Sequence, residues 1–221
     1  MVGAVTSNRK KKKVTFGASL GIEQLVGLAA ELQKLRHHPP LVKRTDGKYE
    51  GDILGFVRGL RLSARVIYFL RERLSRTELE VSWGHLLDIN EQSCSPECDV
   101  IIHTKGHVRK WNGNGGDKPV MEFKFIDAKS VRAVVSCKSL LNSIDKDYPA
   151  ALKTFGVKSV FLFAECCRDS RWAGLQKKAI EAGYRGASCL YFTEKDDESL
   201  IKTDEAMYVS FGESVAKAVS K

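Results

Sequence analysis

Residues 133–141 read AVVSCKSLL, a run of small and β-branched residues that finishes on a lysine. The first part has the composition of a buried strand, and a lysine is costly to desolvate, so Lys138 next to such a run asks for an anion beside it. Alternate side chains in a strand share a face. Arg132, Val134, Ser136 and Lys138 therefore point one way, and Ala133, Val135 and Cys137 the other.

The neighbouring text keeps the period of two. ELEVSW, CDVIIHT, VMEFKFI and VRAVVSC are short and rich in β-branched and aromatic residues, and INEQSCSPE and WNGNGGDKP separate them as turns. Asp99 opens CDVIIHT, and alternation places His103 on its face. If that strand pairs with 133–138, Asp99 meets Lys138. Upstream, Leu25, Leu28, Leu32 and Leu35 recur at helical spacing, and RHHPPLVKRTDGKYEGD breaks the pattern. A second helix carries an apolar stripe of Ile53, Val57, Leu60, Ala64, Ile67 and Leu74 and a basic stripe of Arg58, Arg61 and Arg65. Downstream, the text turns helical from Ile144, SVFLFAE is a buried strand, RWAGLQKKAIEAGY is a helix closed by Gly183, and SCLYFT is a strand. A last strand near AMYVS and a helix over 212–219 complete the chain. This order predicts an α/β fold in which helices flank a mixed sheet in three layers.

Composition narrows the class. The 221 residues, 43% hydrophobic, suffice for one globular domain over residues 16–221, with residues 1–15 as a basic tail around the Arg9–Lys13 run. The tail reads first as a solubilising terminus; a phosphate-binding arm and a nuclear-import signal are its functional readings. A balance of 36 Lys+Arg against 27 Asp+Glu, or +9, favours nucleic acid, an anionic membrane surface or an acidic protein as partner. No apolar run approaches the roughly 18 residues of a membrane span, and no secretion signal is read, so a soluble cytoplasmic protein is expected. Six cysteines include Cys98, Cys137 and Cys189 in strand-like text, where they read as small hydrophobes rather than a disulfide framework. The spacings of Cys94 to Cys98 and Cys166 to Cys167 do not form the two tight pairs of a structural zinc site.

An acid at one strand end and a lysine at another resemble the PD-(D/E)XK phosphodiesterase superfamily, the restriction-endonuclease-like fold. The matching residues are Pro96–Asp99 (PECD) and Ser136–Lys138 (SCK), with 36 residues between Asp99 and Ser136. The element order from Ile53 to Glu165 is similar as well, and FIDAKSVRAVVSCKS resembles a strand–turn–strand of bacterial restriction-endonuclease-like domains. The resemblance implies a three-layer α/β/α fold with a central mixed sheet. It implies a metal-dependent DNA endonuclease in restriction or phage defence, using Mg²⁺ or Mn²⁺. Asp99, Ser136 and Lys138 are then the catalytic positions. Ser136 departs from the family's usual Glu or Asp; type II restriction enzymes that recognise CCGG-containing sites are similar in carrying Ser–Cys–Lys, with the carboxylate supplied by the next helix. Asp145 and Asp147 are the candidates for that role. The implied Mg²⁺ ligands are Asp99, one of these helix carboxylates and the Cys137 carbonyl, with Lys138 steadying or deprotonating the attacking water. Asn142, Ser143 and Lys146, together with Arg58, Arg61 and Arg65, are the expected DNA contacts. A double-strand cutter is expected to be a homodimer.

Competing readings stay open. Glu122 and Lys124 in MEFKF supply an intact E-x-K on one strand face, but a turn and another strand follow them, whereas Lys138 leads towards a helix. Relatives carry a glutamate midway along the preceding helix; here Ser63 stands there, and Glu50 and Asp52 lie only at its start. Two missing carboxylates make a degenerate module that binds nucleic acid without cutting the main alternative. A domain that meets an acidic protein is the third. Trp111 and the glycines after it are a candidate mobile loop over substrate.

Overall fold

The computed structural model describes residues 51–75, 77–112, 122–194, 197–203 and 205–220. The helix expected around Leu25–Leu35, the basic tail, Glu50 and the glycines after Asn112 lie outside the described residues.

The chain begins with helix α1 (Gly51–Leu74) and continues through β1 (Leu79–Asp88), the two-residue β2 (Ser93–Cys94), β3 (Cys98–Thr104), β4 (Val108–Asn112), β5 (Glu122–Asp127) and β6 (Val131–Leu140). Then follow α2 (Asp147–Thr154), β7 (Val160–Arg168), α3 (Asp169–Glu181), β8 (Gly186–Glu194), β9 (Asp197–Thr203) and α4 (Glu205–Val219). Among the described residues the strands form one nine-stranded mixed sheet in the order β4-β5-β1-β3-β6-β7-β8-β9, with β2 paired to β1. β1, β3 and β6 pair antiparallel, whereas β6, β7 and β8 run parallel and are joined through α2 and α3.

Two apolar layers cover the two faces. On one, Leu62, Val66, Leu70 and Leu74 of α1 and Phe211, Val215 and Val219 of α4 pack against Val100, Val135, Cys137 and Phe163. On the other, Leu152 of α2 and Trp172, Leu175 and Ala179 of α3 pack against Ile101, Val134, Leu162 and Cys189. This is the expected three-layer α/β/α arrangement. Covered on both faces, β7 is buried from Val160 to Cys167, which is why VFLFAECC reads as continuous apolar text rather than alternating.

Several local expectations change. Ile67 and Leu74 of the α1 stripe are buried, but Leu60 and Ala64 face solvent, Leu60 with 45% of its surface exposed. The buried face lies about one position out of phase with the expected stripe, and Ser63 belongs to it with Leu62 and Val66. The segment AMYVS is not a strand: it is the start of α4, since Phe211, Val215 and Val219 extend one helical face, and the edge strand is β9 instead. β5 breaks the hairpin order by pairing antiparallel with β4 and parallel with β1.

A bulge shapes the strand that carries Asp99. Ser82 pairs with Ile101 and Gly84 with Cys98, so Trp83 stands opposite two residues, Asp99 and Val100. Gly84 has φ +138°, and a Cβ there would run into the Lys124 carbonyl oxygen of β5. Both constraints demand glycine. Gly84→Ala is expected to destabilise the fold by about 2–4 kcal/mol. Urea unfolding should show a lower midpoint with an unchanged slope.

Candidate active site

Asp99 is the first polar side chain of β3, in the bulge, with Pro96 and Glu97 before it. Its Oδ2 accepts a hydrogen bond of 2.8 Å from the backbone N–H of Cys137 on β6, and its Oδ1 accepts one of 3.4 Å from the Ser63 hydroxyl on α1. The carboxylate thus joins three elements that are distant in sequence. Burial raises its pKa above the ordinary carboxylate value, while the Cys137 N–H and the Lys138 ammonium, the next largest influences, favour the charged form. Lys138 is half-buried, one residue beyond the Cys137 amide that binds Asp99. Glu97 opposes the charged form of Asp99 by like charge.

Position 136 takes a different course. Ser136 is 2% exposed and alternates with Cys137, so its side chain is turned towards the layer under α2 and α3. Asp99, by contrast, reaches the α1 layer through Ser63. Cys137 is buried with α1, and its thiol is held protonated by burial. Asp99 is thus the hub of a small polar cluster with the Ser63 hydroxyl and the Cys137 amide, and Ser63 joins it where the sequence showed only a missing acid.

The other candidates are spread more widely. β6 ends at Leu140, and α2 begins at Asp147. Asn142 and Ser143 therefore lie in the connecting loop rather than in a helix, Lys146 is the residue before α2, and all three are exposed. Asp145 Oδ1 accepts the N–H groups of Asp147 and Tyr148, each at 3.1 Å, so this carboxylate caps α2. Asp147 sits exposed in the first helical turn. Arg61 is half-buried and Arg65 exposed on α1, and the Arg58 side chain lies outside the described residues, as does that of Asp52. His103 does not join Asp99: the β3–β6 register shifts between Ile102 and His103, and its ring is bonded to Ser82 and to the Thr104 carbonyl. Lys124 lies on β5, separated from β6 by β1 and β3, and β5 leads through a single 3₁₀ turn into β6; the Glu122 side chain lies outside the described residues.

Magnesium takes near-octahedral oxygen ligands, usually including one or two carboxylates. Among the described residues no group of three or more His, Cys, Asp or Glu side chains is placed to hold a metal ion. Asp99 brings one carboxylate, both of whose oxygens accept hydrogen bonds, and Asp145 is committed to the α2 amides. The described residues do not fit a two-carboxylate Mg²⁺ site.

Sequence reasoning also missed Tyr148 and Tyr184. Tyr148 Oη donates to the Glu97 carbonyl at 3.4 Å, and Tyr184 Oη donates to the Asp145 carbonyl at 3.2 Å. Both phenols feel the Asp99 charge, and burial raises both pKa values, Tyr184 to about 12. Neither residue lies in a motif, so only the fold reveals them.

A cleft of about 400 Å³ lies at the start of β1 and reaches Ser82 beside the bulge. Arg71, Ser75, Ser82, Lys105 and Lys124 line it, with Glu80 as its acid.

Two NucC structures share this fold. NucC of P. aeruginosa ATCC27853 in its cAAA-bound form superposes with a TM-score of 0.54 at 13% identity, covering 91% of this chain and 93% of that one. NucC of E. coli MS115-1 in its cAAA-bound form gives 0.52 at 10% identity, covering 91% and 92%. At these identities the likeness is one of fold. No protein-family model and no curated protein matches the sequence. No helix among the described residues is long and apolar enough to cross a membrane.

The electrostatics give a test with a definite sign. Because the folded protein holds the Asp99 proton more tightly than the unfolded chain, this group's stabilising contribution is complete below the ordinary carboxylate pKa and is lost as pH rises through the raised value. Thermal unfolding across that window should therefore show wild type losing Tm relative to Asp99→Asn as pH increases. Parallel profiles for the two proteins would contradict the assignment.

Proposed function

We propose that the chain is a nuclease of the phage-defence kind, acting on the DNA phosphodiester backbone where Asp99 and Lys138 converge. The observation that carries this reading is the 2.8 Å hydrogen bond from the amide of Cys137, the residue before Lys138 on β6, to the Asp99 carboxylate on β3, in a chain whose fold is similar to that of two NucC structures. In this reading the Lys138 ammonium neutralises charge developing on the phosphate. Asp99 would orient a water molecule and accept its proton, as a general base at the mouth of β3. A divalent ion would add Lewis acidity, but the described residues supply one carboxylate towards it, so the steps assigned here belong to Asp99 and Lys138 alone.

A second reading is favoured by a specific observation. Ser136 replaces an acid and is turned into the core, while both Asp99 oxygens are engaged. Such a site grips a phosphate without hydrolysing it. The exposed Asn142, Ser143, Lys146 and Arg65 would then serve as backbone contacts, and a homodimer would match a duplex.

The NucC structures are cAAA-bound forms. On this chain the cleft of Arg71, Lys105 and Lys124 is the basic concavity suited to an anionic ligand of that kind. Binding of cAAA by calorimetry, weakened by Lys105→Ala, is the outcome expected.

The nuclease reading predicts DNA cleavage in the presence of Mg²⁺ or Mn²⁺ that falls at least about 100-fold in Lys138→Ala. Salt-sensitive binding without product in either metal would establish the second reading instead. Undiminished cutting by Lys138→Ala would overturn the site.

A further inference from the structure

His103 is a buried histidine of β3 with a hydrogen bond at each ring nitrogen, and one partner fixes the direction of both bonds. Nδ1 lies 2.9 Å from the Thr104 carbonyl oxygen, which can only accept, so Nδ1 carries the proton. Burial lowers the pKa of the ring and keeps it neutral near pH 7; of the charged groups around it, Glu80 favours the charged ring, and His107 and Lys124 oppose it. A neutral ring protonated at Nδ1 has a bare Nε2. The Ser82 hydroxyl, 3.1 Å from that nitrogen, therefore donates to it. The one proton of Ser82 is turned inward.

Ser82 is 5% exposed and lines the cleft at the start of β1. Two cations of that cleft are held by main-chain carbonyls: Arg71 Nε donates to Val81 at 2.9 Å, and Lys105 Nζ donates to Thr77 at 3.0 Å. Each of these side chains has further N–H groups for an anion. Glu80, two residues before Ser82 on β1, shares its strand face and also only accepts. The cleft is thus divided into a cationic, donating part and an accepting part. We infer that Ser82 is a specificity-determining residue of this cleft: it offers the ligand lone pairs alone, so the cleft selects a phosphorylated ligand that also brings an O–H or N–H donor, as a ribonucleotide does. His103 is its positioning residue, setting the direction of the Ser82 hydroxyl without touching the ligand. The inference rests on the proposed use of the cleft by an anionic ligand, whereas the direction of the Ser82–His103 bond stands without it.

The test has two arms, both on the full chain. Nitrogen-15 NMR of the histidine rings, with His103 assigned by its loss in His103→Gln, reads the tautomer of wild type without any ligand. A neutral ring protonated at Nδ1 is expected; a proton on Nε2 would overturn the inference, because Ser82 would then be free to donate. Calorimetry then compares cAAA with two analogues that each lack one donor, the 2′-deoxy form without the sugar hydroxyl and the inosine form without the base amino group. Wild type should bind one analogue about tenfold more weakly than cAAA, which identifies the donor that meets Ser82. Ser82→Ala should bind cAAA and that analogue alike, and Ser82→Thr, which keeps the hydroxyl, should restore the difference. Equal discrimination by wild type and Ser82→Ala, or equal binding of all three ligands by wild type, would overturn the role of Ser82. Should wild type bind none of the three, the ligand reading of the cleft fails, while the ring tautomer still decides the direction of the hydroxyl.

Discussion

The hydrogen bond from the Cys137 amide to the Asp99 carboxylate is the interaction on which the candidate site depends. A backbone donor cannot be removed by a side-chain change, so it fixes the acid to the end of β6 whatever surrounds it. It also offsets the cost of sinking a carboxylate among apolar neighbours, a cost visible in the raised pKa. Ser63 adds a bond from α1, and Lys138 adds charge. One acid thereby holds two strands and a helix in register, with a cation at the mouth.

The layers behind it explain why that end of the sheet is available. α1 and α4 cover one face and α2 and α3 the other, so the apolar layers close over the sheet centre and leave the strand ends and joining loops exposed. The bulge opposite Trp83 sets the placement of Asp99, and Gly84 permits both the bulge and the approach of β5. Fold and site share one local irregularity.

Much of this was legible in the sequence. The period-two runs and the buried VFLFAECC strand announced a mixed sheet, and the change to helical spacing after Lys138 announced the parallel crossover. Misreadings arose where one pattern fits two structures. Leu60 and Ala64 continue a helical stripe yet face outward, and AMYVS reads as a strand until the helical face beyond it is included. Within the candidate site, short motifs mark Asp99 and Lys138. It was not legible in Ser63, Glu97, Tyr148 or Tyr184, because their partners lie 36 or more residues away or act only through space. Alternation could not foresee that Asp99 and His103 part company, because register shifts interrupt β3 on both sides.

The central claim is that Lys138 and Asp99 share one electrostatic environment. Carboxyl-carbon NMR of Asp99, followed through a pH titration in wild type and in Lys138→Met, measures it directly. The account predicts a pKa above the ordinary aspartate value in wild type and a further rise when the ammonium is removed. An Asp99 titration unmoved by the loss of Lys138 would contradict it.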